Sequence, residues 1–249
     1  MTKTLIIIPS RIAATRLPGK PLLKINNLSI VSHVFKRAEE AEIGEVVVAT
    51  DDQEILKDVI ENGGNAILTN KNHKTGTDRI FEAYKKLNIK NIDYILNLQG
   101  DEPNIDKDDI INLNNFMINQ NGKLGTLAAK IQDGKMLSNK NVVKVITDKK
   151  LVKNNFPVAI NFTRENLSTN NQNIYHHIGI YSYRISILEK FVSLDQTNNE
   201  KKNKLEQLRA LDNKLKINVA LAKSSPIGVD TKEDYLAIKK IMEYKISNE

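Results

Sequence analysis

The chain has 249 residues, 40% of them hydrophobic, and 37 basic against 30 acidic side chains give a net charge of +7; this length suits one large α/β domain with an ample core. There is no cysteine, which excludes a disulfide framework and thiolate metal sites and suits a reducing compartment, and His33, His73, His176 and His177 lack zinc-ligand spacing. No apolar run approaches a signal-peptide core or a membrane span, so the expectation is a soluble, cytoplasmic protein with no membrane partner.

Taken in chain order, short apolar runs alternate with amphipathic stretches. Residues 4–9 predict a strand, 29–42 a helix with Ile30, Val34, Ala38 and Ala41 at helical spacing, and 45–49 a second strand. Residues 53–62 read as a helix stopped by Gly63 and Gly64, 66–68 as a short strand, 77–87 as a helix and 94–98 as a strand. A helix over 107–120 and a strand over 125–130 follow. Val46, Val47 and Val48 are apolar without alternation, as in strands buried on both faces of a parallel sheet. From residue 142 the pattern changes: 142–147, 156–162 and 174–183 predict longer strands joined by polar connections, as in an antiparallel lobe, and 170–173 read as a loop tip. Helices over 185–193 and 200–211, a strand over 217–222 and a last helix from residue 232 complete the chain. No repeat or linker separates the halves, so the expectation is one α/β domain over 1–249, its mostly parallel central sheet carrying a lobe inserted at about 142–213.

The lysines are spread along helical segments, which reads as solvated surface and argues against nucleic acid as a partner. The seven arginines instead fall largely inside motifs, where a planar bidentate fork is of use. In "LIIIPSRIAATRLPGKPL" a strand ends and Arg11, Arg16 and Lys20 follow on a loop that Pro18, Gly19 and Pro21 keep extended. Such a loop, at the carboxyl end of a parallel strand, fits a triphosphate cradle, and it also fits a solvated basic loop. It is not the Walker pattern, since Pro21 follows Lys20. In "YILNLQGDEP", Gly100 permits a tight turn and Asp101 and Glu102 project from the sheet edge, where Asp101 suits Mg²⁺; a capped turn at Pro103 is the alternative. In "GVDTKEDY", Thr231 and Asp234 form a capping-box signature, leaving Asp230 to stabilise the helix dipole or to ligate a cation.

With "ATDD", "KTGTDRI", "HHIGIYSYR" and "LEQLRAL", these strings stand in an order that closely resembles the 3-deoxy-manno-octulosonate cytidylyltransferases, or CMP-KDO synthetases, over nearly the whole chain. The resemblance implies a Rossmann-like nucleotidyltransferase fold and a homodimer whose contact lies in the antiparallel lobe. It also implies a reaction joining CTP to the 2-keto-3-deoxy sugar acid KDO, giving CMP-KDO and pyrophosphate for lipopolysaccharide biosynthesis. It makes Arg11, Arg16 and Lys20 the clamp on the triphosphate and the transition state, with Pro9, Ser10, Thr75 and Gly76 bordering the nucleotide. Asp101 and Asp230 would hold Mg²⁺, and Arg79, Gln99, His177, Tyr181, Glu206 and Gln207 would contact the sugar acid. Each of the last set also has a structural reading, as a core aromatic, a satisfied histidine or a solvated helix residue.

One stretch departs from the family. It usually carries Tyr-Phe-Ser-Arg and then Pro-Trp in the lobe, whereas "NNFPVAINFTRE" has Pro157 and Val158 in place of Ser-Arg, and "LRALDNK" lacks the usual aromatic pair. A sugar-side cation is therefore missing; either Arg164 substitutes, or the sugar differs, an 8-amino-KDO-type acid for example. A sialic-acid-type substrate is the alternative within the class, and a metal-dependent glycosyltransferase the alternative outside it.

Overall fold

The apolar run near the start of the chain becomes the spine of a sheet: strand β1 (Thr4–Ser10) has Leu5, Ile6, Ile7 and Ile8 fully buried. The computed structural model describes residues 2–13, 16–167 and 173–246, so residues 170–172 of the expected loop tip lie outside the described residues. After β1 come a 3-10 turn at Lys20–Leu22, a hairpin of β2 (Lys24–Ile25) and β3 (Leu28–Ser29), α1 (Ile30–Glu39), β4 (Gly44–Thr50), α2 (Gln53–Glu61), β5 (Ala66–Leu68), α3 (Gly76–Leu87) and β6 (Tyr94–Asn97). The second half runs α4 (Lys107–Asn119), β7 (Leu124–Ala129), a short α5 (Lys135–Ser138), β8 (Lys144–Thr147), β9 (Ala159–Thr163), β10 (Ile174–Arg184), α6 (Ile185–Val192), α7 (Asn198–Asn203), α8 (Leu208–Asp212), β11 (Asn218–Leu221) and α9 (Lys232–Ile246).

The main sheet has the order β11-β7-β10-β6-β1-β4-β5, and β8 and β9 extend it from β10. β1 pairs in parallel with β4 and β6, β4 with β5, and β7 with β11. β10 runs antiparallel to β6, β7 and β8, and β8 antiparallel to β9. This is the mostly parallel α/β sheet that the sequence implied. β10 serves both parts: residues 181–184 lie beside β6, and residues 174–176 beside β8.

Alternate residues of β1 face different layers, as the two-residue strand period demands. Ile6 and Ile8 pack with Val34 and Phe35 of α1, Ile55 of α2 and Leu113 of α4, whereas Leu5 and Ile7 share a cluster with Ile80 of α3, Leu188 of α6 and Leu208 of α8. Burying each large aliphatic side chain contributes roughly 1.5–3 kcal/mol. The helices start where their caps say. Ser29 accepts from Ser32 N–H, Asp52 from Glu54 and Ile55 N–H, and Asp106 from Asp108 N–H.

Two expectations need correction. The loop after β1 is not extended throughout: Gly19, at φ 70°, turns the chain into the 3-10 turn at Lys20–Leu22, and Leu22 N–H donates to Gly19 O at 2.9 Å. The helix expected over 200–211 is two helices, α7 and α8, separated at Lys204, whose φ is 53°. The cause is the buried pair Arg209–Glu200, with Nε and Nη2 at 2.9 and 2.7 Å from the two carboxylate oxygens. On one continuous helix, residues nine apart stand about 13.5 Å apart, so the chain must fold back for this pair to form.

Candidate functional site

A cavity of about 730 Å³ opens at the carboxyl ends of β1 and β6, the edge at which open parallel sheets take ligands. Seven lysine or arginine side chains and four carboxylates line it, a balance that favours anionic ligands. Pro9, Ser10, Arg11, Arg16, Lys20, Thr75, Gly76 and Asp101, the eight residues that the resemblance places at the nucleotide, line this cavity, together with Arg79, Gln99, Glu206 and Asp230. Ser10 Oγ is buried in its wall without a hydrogen-bond partner, a polar atom left open to a ligand.

Gly100 lets the exit of β6 cross the end of β1, because a Cβ there would stand 3.1 Å from Pro9 O. The chain then presents Asp101, whose carbonyl accepts the Val229 N–H at 2.8 Å and so ties the turn to the segment bearing Asp230. Asp234 accepts from the Asp230 and Thr231 N–H groups, and Thr231 Oγ1 accepts from Asp234 N–H. Capping therefore uses Thr231 and Asp234 and leaves the Asp230 carboxylate to face the cavity. Lys20 Nζ lies 2.7 Å from Asp101 Oδ2 and 3.3 Å from Asp230 Oδ1, while Arg16 Nη2 lies 2.9 Å from Asp230 Oδ2.

A single ammonium reaches both carboxylates, so Asp101 and Asp230 converge on one point of the size a cation fills. Among the described residues no group of three or more histidine, cysteine or acidic side chains could hold a metal. Two carboxylates do fit Mg²⁺, a hard ion that commonly takes one or two protein carboxylates and leaves its other positions to substrate phosphates and water. Glu102 adds a third carboxyl nearby. Burial, then the charge of Asp101, raises its pKa to about 8, with Asp230 adding to the shift and the Gly179 N–H opposing it.

The N-terminus of α3 forms another wall. Thr75 caps it by accepting the Asp78 N–H, and Lys74, Thr75 and Gly76 line the cavity at this helix start. His73 lines the cavity and pairs with Glu82. Burial would raise the Glu82 pKa, but Lys86, the Asn70 N–H and His73 outweigh it and hold it near 2. Arg79 reaches the cavity with its fork already engaged, Nη2 at 3.0 Å from Asp51 Oδ2 and Nη1 at 2.6 Å from Thr69 Oγ1. The "ATDD" string is thereby explained: Asp51 holds Arg79, and Asp52 caps α2.

Of the residues expected at the sugar, Gln99 lies at the cavity surface, its Nε2 donating to Asn97 Oδ1 at 3.2 Å. Glu206 lies there too. Burial raises its pKa to about 7, the Thr77 and Thr75 hydroxyls and Arg209 opposing the shift, and its Oε1 has no hydrogen-bond partner. His177, Tyr181 and Gln207 are buried and do not line the cavity. His177 Nε2 meets Thr126 Oγ1 at 3.1 Å and its ring lies 5.5 Å from that of Tyr181, whose hydroxyl is buried without a partner. Arg164 does not line the cavity either; its Nη1 donates to the Lys140 and Asn141 carbonyls.

The residues the sequence reading left out are His73, Lys74 and the wall formed by Gln196, Glu200, Lys201 and Lys204. For His73 the signal was its position two residues before the Thr75 cap. For the α7 wall no local signal existed, because its lysines look like any solvated helical face.

Comparison with known proteins gives three findings. The cytidylyltransferase family model matches residues 5–217. A 3-deoxy-manno-octulosonate cytidylyltransferase of Rhodopseudomonas palustris is 43% identical over 97% of this chain and 98% of its own, and one of Thermodesulfovibrio yellowstonii is 43% identical over 96% and 98%. The solved structure of a CMP:2-keto-3-deoxy-manno-octonic acid synthetase complexed with CTP superposes with a TM-score of 0.88 at 32% identity, covering 98% of this chain and all of that one.

Proposed function

The chain belongs to the 3-deoxy-manno-octulosonate cytidylyltransferase family, and from this premise we propose its chemistry: it activates 3-deoxy-manno-octulosonate with CTP, giving CMP-KDO and pyrophosphate. The anomeric hydroxyl of the sugar acid attacks the α-phosphorus of CTP in line; the new P–O bond forms as the bond to the β-phosphate oxygen breaks, and pyrophosphate leaves. The observation that carries the roles of individual residues is the convergence of Asp101, Asp230, Arg16 and Lys20 within one cationic cavity.

In this reading Arg11, Arg16 and Lys20 neutralise the triphosphate, and Arg16 and Lys20 stabilise the charge that builds on the departing pyrophosphate. Ser10, Thr75 and Gly76 border the nucleotide, and Gln99 and Glu206 face the sugar hydroxyls. Asp101 and Asp230 would hold Mg²⁺, which when bound supplies Lewis-acid polarisation of the α-phosphate and acidifies the attacking hydroxyl. Arg79 acts through Asp51 and Thr69 to fix the wall of the site. His177 and Tyr181 support that wall from behind.

The reading extends to a cytoplasmic homodimer, consistent with a chain without cysteine in which, among the described residues, no helix is long and apolar enough to cross a membrane. The test is a pyrophosphate-release assay crossing four nucleoside triphosphates with several 2-keto-3-deoxy sugar acids, with and without Mg²⁺. CTP with KDO and Mg²⁺ should give turnover, and Asp101→Ala should abolish it. Full turnover by that variant would remove Asp101 from the metal site.

A further inference from the structure

We propose that the Glu82–His73 pair selects between the pyrimidine nucleotides: Glu82 fixes the His73 ring with Nδ1 as a bare acceptor, which takes the exocyclic amine of cytosine and refuses the carbonyl oxygen that uracil carries in its place. The proposal rests on the function inferred above. It makes His73 a specificity-determining residue and Glu82 the residue that positions it.

His73 lines the cavity, and its Nε2 meets Glu82 Oε2. Among the described residues its ring makes no other hydrogen bond or ion pair, so Nδ1 is uncommitted. Glu82 stands on α3 and reaches back over the connection from β5. It accepts the Asn70 N–H at 2.9 Å to Oε2 and 3.2 Å to Oε1, and its Oε1 lies 2.7 Å from Lys86 Nζ. One carboxylate thus ties the beginning of this connection to a ring near its end, and Lys86 Nζ, which donates to Leu68 O at 3.0 Å, ties both to β5. Against the cost of burial, Lys86, the Asn70 N–H and His73 keep the Glu82 pKa near 2. An ionised carboxylate only accepts, so the ring must offer it Nε2–H. Lys86 already balances the carboxylate charge, and the neutral ring that this permits carries its lone pair on Nδ1.

The sheet order says which part of the nucleotide meets this ring. Along the ligand edge the strands run β6, β1, β4, β5. Asp101, after β6, marks the reacting phosphate, and Arg11, Arg16 and Lys20, after β1, take the triphosphate. His73 follows β5, farther from Asp101 along the same edge, on the side left for the nucleoside. Cytosine there offers an amine N–H to the bare nitrogen. Uracil offers a carbonyl oxygen, which sets two lone pairs against each other and leaves both without a donor.

The experiment compares wild type with Glu82→Gln and His73→Phe. A glutamine keeps the size of Glu82 and an acceptor for the Asn70 N–H, but it turns an amide N–H toward His73 Nε2, so the ring must carry its proton on Nδ1. NMR of protein with isotope-labelled histidine nitrogens, the His73 signals being identified by their loss in His73→Phe, should show Nε2–H and a bare Nδ1 in wild type and the reverse in Glu82→Gln. The ratio kcat/KM is measured for CTP, UTP and 2′-deoxy-CTP with saturating KDO and Mg²⁺. Each substitution should lower the preference for CTP over UTP about tenfold, the effect of one hydrogen bond. A protonated Nδ1 in wild type, or a CTP preference that neither substitution changes, would overturn the proposal and leave the reaction standing. Equal losses for CTP and UTP would make the pair a structural clip alone, and losses that vanish with 2′-deoxy-CTP would assign the ring to the ribose; either result also overturns it. The swapped tautomer in Glu82→Gln, with wild type binding CMP more tightly than UMP in calorimetry but releasing no pyrophosphate, would uphold the base selection while overturning the reaction.

Discussion

Lys20 Nζ sits where the Asp101 and Asp230 carboxylates converge, so a divalent ion arriving there has to displace it. Two effects of one substitution then separate. Lys20→Met should bind Mn²⁺ more tightly than wild type without nucleotide, by about tenfold, because a competing charge-assisted contact is gone. In the function proposed above Lys20 is a donor to the leaving group, and on that reading the same variant should release pyrophosphate roughly a hundred- to a thousandfold more slowly. Mn²⁺ titration followed by electron paramagnetic resonance checks the first effect, and equal affinities would show that Lys20 does not guard the site. Glu206 makes a different prediction. Burial raises its pKa from 4.5 to about 7, so between those values the folded chain keeps a proton that the unfolded chain has lost. Stability therefore falls as pH rises through that window and levels off above it. The full shift corresponds to about 3 kcal/mol, and water reaching the 30% of this side chain that is exposed lowers the figure. Glu206→Gln removes the ionisation, so in urea titrations its stability relative to wild type should rise from pH 4.5 to 7. The buried Glu102 contributes to both curves and cancels in the difference. A difference that stays flat with pH would place the Glu206 carboxyl in water.

At the scale of elements, what the sequence revealed was local. Helices α1 to α4 follow from apolar positions at helical spacing and from the caps Ser29, Asp52, Thr75 and Asp106, all within a few residues of the helices they start. That the eight residues expected at the nucleotide line one cavity has a similar reason, since they sit in short strings at strand ends and helix starts. What escaped depends on distant partners. The place of β10 between β6 and β7 is set by which strands pair, and no window of sequence encodes that. Residues 200–211 carry helical residue types throughout, yet the Arg209–Glu200 pair breaks them into α7 and α8 and so turns Lys201 and Lys204 toward the cavity. Arg209 also lies 4.8 Å from the centre of the Phe191 ring, which fixes α8 against α6. Removing one member strands the other's charge in the core, so Arg209→Met should cost about 3–5 kcal/mol. Replacing both, with Glu200→Leu added, should recover much of that loss, because a well-packed apolar pair avoids the desolvation of two ions. Urea unfolding of the four proteins of this cycle measures it; a double variant no more stable than Arg209→Met would assign the pair's value to the backbone fold of α7.

On the whole molecule, the sheet ends differently at its two sides. β5 closes one side, its neighbour α2 packing over it, while β11 closes the path at the other and the β8–β9 hairpin extends from β10. Among the described residues β9 pairs as a strand only with β8; on its other side the Ala159 N–H donates to Ile217 O at 2.8 Å, and beyond that contact Ile160 is 60% exposed. Val152, in the connection that leads to this strand, is 44% exposed. Proteins usually cover or charge such an edge, because an open row of backbone donors and acceptors beside an apolar side chain recruits another strand. Here the exposed residue after Ile160 is the neutral Asn161, so charge does not guard the edge at this point. A second copy of the chain would cover it, in agreement with the homodimer proposed above, and burying Ile160 would contribute roughly 1.5–3 kcal/mol per subunit. Ile160→Asp should therefore shift the chain from dimer to monomer at micromolar concentration in sedimentation velocity, with unchanged far-ultraviolet circular dichroism. A wild-type chain that sediments as a monomer, or a variant that stays dimeric, would move the contact away from this hairpin.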